Sequence, residues 1–137
     1  MLNVTLWALQ VLVALIFLAH GWIMLVPPAS LIEQMNASMS ATLRIFIGVS
    51  EVAAAAGLIL PALTRILPWL VPLASAGLSI VMVCATIWHI ARSEVSSAVT
   101  TTVLLAIVTF LAYARWKVKP IPSRSVAGLR DRRQARV

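Results

Sequence analysis

One carboxylate in a long apolar stretch is the first residue of this sequence whose chemistry could carry a function. Glu51 lies in the middle of RIFIGVSEVAAAAGLILP, residues 44–61. A buried carboxylate is either protonated or kept ionised by a nearby cation, and access to both states is what a proton-handling group requires. An ionisable side chain inside an apolar helix is costly, so it is more often functional than incidental. We therefore predict that Glu51 handles a proton, with interhelical hydrogen bonding as the structural alternative.

Three basic side chains could share a site with Glu51. With a rise of ~1.5 Å per residue, Glu51 lies roughly 12 Å and His20 roughly 7 Å below the same end of two helices. The two side chains can meet if those helices are neighbours, so His20 is predicted as a second proton-handling residue. Arg44 is expected mainly to extend to lipid headgroups, with a salt bridge to Glu51 as the alternative. His89 lies near the same end of its helix, beside Trp88, as an interfacial or a ligand-binding residue.

Each apolar run has one mildly polar face at helical spacing, and polar side chains in lipid turn toward a bundle interior. The serines and threonines on these faces are best explained as groups that join helices. The candidate ligand-binding residues around Glu51 are Arg44, Gly48, Met82, Thr86 and His89.

These residues lie in four apolar runs, each of about 20 residues or more, which is the length of a helix that crosses the bilayer core. The chain is 61% hydrophobic and only 11% charged, which falls outside the range of soluble domains. The runs cover residues 4–26, 42–60, 66–91 and 95–114, and Pro61 is expected to end the second. Short links between them predict an all-α fold, an integral membrane antiparallel four-helix bundle over residues 1–115.

A basic tail follows the fourth run. Eight of the eleven Lys and Arg residues lie between Arg115 and Val137, and residues 116–137 are predicted to form a cytoplasmic tail. Four spans then place the N-terminus in the cytoplasm as well, in a bacterial inner membrane. Nucleic-acid binding is unlikely for a membrane protein, so the expected partner of the tail is anionic lipid. The residues predicted to contact the lipid surface are Arg115, Lys117, Lys119 and Arg124.

Cysteine content limits the chemistry. Cys84 is the only cysteine, which excludes an internal disulfide, a Cys-x-x-Cys redox centre and a zinc cage. No metal site is predicted. A haem held by His20 and His89 is conceivable on two helices, but two histidines in a bundle are more often not ligands.

Several segments carry a resemblance to a known family: FLAHGWIML, RIFIGVSEVAAAAGLILP, PLASAGLSIVMVCATIWHIARSE and LLAIVTFLAYAR. Their most specific parts are Gly48-x-x-Glu51 and the end of the third run from His89 to Glu94. The chain resembles the DoxX family, in particular its DoxX-like branch of small four-helix bacterial membrane proteins. The resemblance implies a four-helix bundle and, in some members, a link to membrane oxidoreductase assemblies. It points to Glu51 and His89, and less directly to Arg44.

Three functions compete at this point. The first is a membrane subunit of a redox assembly, in which a polar pocket around Glu51 holds a quinone headgroup or a similar ring and a protein partner supplies electrons. The second is a non-catalytic subunit that binds lipid or scaffolds a larger complex, with Glu51 setting helix register. The third, ranked well behind, is proton-coupled transport. The sequence leaves open whether the protein is an enzyme and whether it forms a homo-oligomer.

Overall fold

The computed structural model describes residues 1–124, and this part of the chain is helical without any strand. Its helices are α1 (Leu2–Leu25), α2 (Ala29–Ser38), α3 (Ala41–Thr64), α4 (Leu70–Ala91) and α5 (Val95–Tyr113), followed by a π-helical turn (Ala114–Val118). Four of them are long and apolar enough to cross a membrane: α1, α3, α4, and α5 with its π-helical continuation. The predicted all-α class and the four membrane-spanning helices are confirmed.

The spanning helices pack in the order α1, α3, α4, α5, with a narrower contact between α5 and α1. Contacts between α1 and α3 join Met24 to Arg44, Gly21 to Gly48, His20 to Glu51 and Gln10 to Leu58. Residue numbers fall along α1 as they rise along α3, so these two helices are antiparallel. We call the end where α1 stops and α3 starts the outer end, and the opposite end the inner end.

The core consists of one row of large apolar side chains from each spanning helix. The largest that are fully enclosed are Leu6, Phe17, Leu58, Leu78 and Leu111. Most of the remaining Leu, Ile and Val side chains are exposed on the outside of the bundle. That distribution suits a helix bundle whose surroundings are lipid, because the outward apolar side chains need no protein cover.

Helix α2 is an element that the sequence analysis did not predict. Pro27 and Pro28 end α1, and Pro28 stands at the N-cap of α2, where its missing N–H costs little. Ser40 then starts α3, since its Oγ accepts a hydrogen bond from the backbone N–H of Leu43 at 3.3 Å. The segment between the first two apolar runs is therefore a short helix between two caps, not an irregular loop.

Two predicted helix boundaries differ from the structure. Pro61 lies inside α3, which continues to Thr64 and is capped by Arg65 with a left-handed φ of 57°. Proline removes only its own N–H bond, and the three residues that follow Pro61 complete the last turn. Helix α4 begins at Leu70 instead of Ile66, and Pro72 falls in its first turn. Of the predicted tail, residues 125–137 lie outside the described part of the chain.

Candidate functional site

Two glycines hold α1 and α3 at a short distance in the outer half of the bundle. A Cβ atom built on Gly21 would lie 3.0 Å from the carbonyl oxygen of Gly48, and one built on Gly48 would lie 2.9 Å from that of Gly21. Neither helix has room for a side chain at this point. Small residues let helix backbones approach closely in lipid, which is the role that the structure supports for Gly48. The ligand-binding role suggested for Gly48 stays a prediction.

His20 and Glu51 lie beside this contact between the glycines and form a hydrogen-bonded pair. His20 precedes Gly21, and Glu51 follows Gly48 by three residues, so both side chains lie beside the point of closest approach. Nδ1 of His20 is 2.6 Å from Oε2 of Glu51. The expectation that these side chains meet is confirmed, whereas their proton-handling role stays a prediction. We call His20 and Glu51 the dyad.

The two members of the dyad differ sharply in exposure. Glu51 is completely buried at 0%, as its place on the inward face predicted, whereas half of the His20 side chain, 50%, is exposed. Oε1 of Glu51 is enclosed and has no hydrogen-bond partner among residues 1–124. The carboxylate is therefore reached through the imidazole, from the outside of the bundle.

The dyad can hold its proton in two ways. Either an Nδ1–H of His20 donates to the carboxylate, or a protonated Glu51 donates its O–H to Nδ1. In both forms Nδ1 is engaged, which leaves Nε2 as the ring nitrogen that can meet another molecule. The arrangement is suited to passing a proton between a buried carboxylate and a group on the lipid side of α1.

An open groove of about 540 Å³ lies at the outer end of α5, lined by residues between Ile90 and Val103, and neither member of the dyad lines it. His20 is exposed on the lateral surface of the bundle, and the polar pocket around Glu51 stays a prediction.

The position of Arg44 differs from the one predicted. It is buried at 8% exposure, and Nη1 donates a hydrogen bond to the backbone carbonyl of Met24, in the last turn of α1. The expected extension to lipid headgroups is wrong, and Arg44 makes no ion pair with Glu51. The physical reason is that the last carbonyls of α1 lack helical partners and lie beside Arg44 once the glycines have brought the two helices together.

The other three candidate ligand-binding residues lie on α4 and have separate surroundings. Met82 is part of the buried core. The hydroxyl of Thr86 donates to that of Thr101 on α5 at 2.9 Å, which is the helix-joining role expected of threonines. His89 is engaged with Glu94, 2.6 Å from Nδ1 to Oε2. None of the three is bonded to the dyad, and their ligand-binding role stays a prediction.

The outer turn between α4 and α5 is organised around Glu94. Besides the contact with His89, its Oε1 accepts a hydrogen bond from Nε of Arg92 at 2.9 Å. Donation from His89, and then from Arg92, lowers the pKa of the Glu94 carboxyl below its ordinary value. Ser93, between Arg92 and Glu94, has a left-handed φ of 58°. The cluster fixes the path of a tight turn.

A second polar cluster, at the inner end, was missed by the sequence analysis. Gln10 on α1 donates through Nε2 to the carbonyl of Leu58 on α3 at 2.6 Å. Its Oε1 accepts from Nε of Arg115 at 2.8 Å, and Nη1 of Arg115 donates to Asn3 at 3.1 Å. The guanidinium also lies 5.7 Å from the ring centre of Trp7. The cluster joins α1 and α3 to the end of α5.

Arg115 is therefore not on the lipid surface. It is only 2% exposed, because the π-helical turn after α5 brings it back onto Gln10. The other described residues of the predicted lipid-contacting set, Lys117, Lys119 and Arg124, are exposed. Gln10 is the polar residue in the inner half of the first apolar run, and pairing it with the first basic residue after the fourth run would have found this cluster.

A family comparison covers the part of the chain that holds the dyad. The family model described as the DoxX-like family matches residues 8–111, more than half of the chain. The chain belongs to the DoxX-like family. This confirms the resemblance drawn from the sequence segments, and with four apolar helices it makes this DoxX-like protein a multi-pass membrane protein. No curated protein and no solved structure matches the chain.

Proposed function

We propose that this DoxX-like protein is a membrane subunit of a redox assembly, in which the dyad exchanges a proton with a quinone or a similar ring. The observation that carries the proposal is the 2.6 Å contact between a fully buried carboxylate and a half-exposed imidazole. The ring binds on the lipid side of α1, where Nε2 of His20 is available to it.

Acid–base chemistry supports this assignment. Reduction of a quinone to a quinol takes up two electrons and two protons. The dyad supplies one proton, because Glu51 can pass its proton to Nδ1 as Nε2 of His20 gives one to the ring, and the second proton comes from water at the membrane surface. His20 is the group in contact with the ring, and Glu51 holds its orientation and exchanges the proton. The electrons come from a protein partner, since a chain with a single cysteine offers neither a dithiol nor a cysteine set for an iron–sulfur cluster.

The lateral position of the dyad also favours an apolar ligand. His20 lies five residues before the end of α1, which is about 7 Å below the outer end. A quinone dissolved in the bilayer reaches this depth without entering the bundle. The orientation that we propose places the outer end toward the periplasm and the tail in the cytoplasm of a bacterial inner membrane.

A second candidate is a non-catalytic subunit that binds lipid or scaffolds a complex. The tight glycine contact favours it, because a buried hydrogen-bonded pair beside that contact can fix the register of α1 and α3. In this case the dyad contributes to helix packing and assembly, and it has no ligand of its own.

Quinone binding tests the two candidates against each other. We would titrate a short-chain quinone into the protein in nanodiscs and follow quenching of tryptophan fluorescence, with Trp22 two residues from His20. His20→Gln and Glu51→Gln should each weaken binding about tenfold or more, the value of one hydrogen bond to a charged group.

The matched control is Glu94→Gln, which removes the other His–Glu pair, and it should bind like the unaltered protein. Saturable binding that both dyad variants weaken, with the control unchanged, supports the redox assignment. No saturable quenching, or equal quenching in every variant, contradicts it and leaves the scaffold as the better account.

A further inference from the structure

Helix α2 stands apart from the bundle. It has ten residues and none of them is buried, while every spanning helix buries at least three. It forms no extensive contact with another helix in the described part of the chain. Leu31 and Ile32 are each 38% exposed. A helix this short is marginal on its own in water, so something outside the bundle is expected to cover it.

The exposed side chains of α2 are sorted into two faces. At about 100° per residue, Leu31, Ile32 and Met35 fall on one side of the helix, which we call the apolar face of α2. The opposite side carries the polar residues Ser30 and Glu33, while Gln34 and Asn36 lie at the edges and Ser38, the last residue, falls beside Leu31. This division is the pattern of a helix that lies at a boundary between an apolar and an aqueous medium.

The links on either side of α2 indicate which boundary this is. Three residues separate it from the end of α1, and two separate it from the start of α3. Both flanking helices are long enough to cross the membrane, so α2 is held within a few residues of the membrane surface. Its length of about 15 Å is too short to cross the bilayer.

We propose that α2 is an interfacial helix, which lies in the plane of the outer membrane surface with its apolar face among the acyl chains of membrane lipid. It contains no Lys or Arg and one acidic residue, Glu33. Binding therefore comes from burial of apolar side chains and not from attraction to anionic headgroups. The proposal is independent of the dyad and its ligand.

Site-directed fluorescence tests this placement. Cys84 is exposed and is replaced by Ser to give a background without cysteine. Leu31→Cys and Glu33→Cys, about 160° apart around α2, are then labelled with an environment-sensitive dye, and the full chain is reconstituted into phosphatidylcholine vesicles. Both positions lie on the surface of the protein, so the folding of the bundle does not depend on them.

The expected result is a clear difference between the two faces. The dye at residue 31 should emit at shorter wavelength and be quenched by lipids brominated near the top of the acyl chain. The dye at residue 33 should be quenched by aqueous iodide instead. Equal iodide quenching at both positions would overturn the proposal, and so would protection of residue 31 only when another protein is added.

A second experiment changes the charge of the lipid. Replacing half of the phosphatidylcholine by phosphatidylglycerol should leave the emission at residue 31 unchanged, because α2 has no basic residue. A large further shift toward shorter wavelength in the anionic vesicles would contradict binding by apolar burial.

Discussion

Gly21 and Gly48 face each other across α1 and α3, so closely that a Cβ atom on either would lie within 3.0 Å of the carbonyl oxygen of the other. This contact explains why the dyad exists. His20 and Glu51 flank the glycines, and their side chains meet because the two backbones nearly touch. The geometry of the candidate site therefore depends on two residues without side chains.

Gly48→Ala should separate the helices. The added methyl group meets the side chain of Leu25 and the carbonyl oxygen of Gly21, and the backbone oxygen cannot turn away. We therefore expect a loss of about 1–3 kcal/mol in the free energy of unfolding. Thermal unfolding in detergent measures it. The matched control is Gly77→Ala in α4, where a Cβ atom meets nothing within 4 Å. Equal stability of the two variants would contradict the close contact.

Arg115→Gln should weaken the inner end of the bundle. The variant loses the hydrogen bonds that the Arg115 guanidinium donates to Gln10 and Asn3. A hydrogen bond to a charged group contributes about 1.5–3 kcal/mol to the free energy of unfolding. We expect a lower unfolding temperature. Lys117→Gln removes the same charge from an exposed position two residues later and should have little effect. If both variants lose the same stability, the tail charge matters and the buried cluster does not.

Arg44→Met tests the link between the outer ends of α1 and α3. Methionine has a side chain of similar length but cannot donate a hydrogen bond to the Met24 carbonyl, so the end of α1 should fray. Faster hydrogen exchange at the backbone amides of residues 22–26 is the expected signal. Exchange that stays as slow as in the unaltered protein would indicate that Arg44 does not hold this end.

The outer turn should depend on pH through Glu94. Because its pKa is lowered in the folded protein, ionised Glu94 stabilises the fold above the ordinary glutamate value of about 4.3. That contribution is lost as the pH falls through the lowered pKa. The difference in unfolding temperature between the unaltered protein and Glu94→Gln should therefore shrink as the pH is lowered from 6 to about 3. A difference that is constant over this range would argue against the ion pairs.

The sequence predicts the parts of this structure that depend on long apolar periodicity. Four spans, the inward position of Glu51 and its meeting with His20 all follow from run length and from the rise of a helix. Helix α2 was missed because its ten residues, with three large apolar side chains, are far too few for a membrane span. The predictions for Arg44 and Arg115 were wrong because the rules for basic residues in membrane proteins apply to all of them alike. An arginine turns away from lipid when the tertiary structure brings an acceptor near it. For Arg44 this acceptor is a backbone carbonyl, and for Arg115 it is a side-chain amide.

Nε2 of His20 should contact a quinone while Nδ1 remains bonded to Glu51. Nitrogen-15 solid-state NMR of labelled histidine in bilayers measures both atoms directly, and a His89→Gln chain leaves His20 as the single labelled imidazole. Adding a quinone should shift the Nε2 resonance and leave the Nδ1 resonance in place, and the shift should vanish in Glu51→Gln. An Nε2 resonance that does not move at saturating quinone would contradict the account.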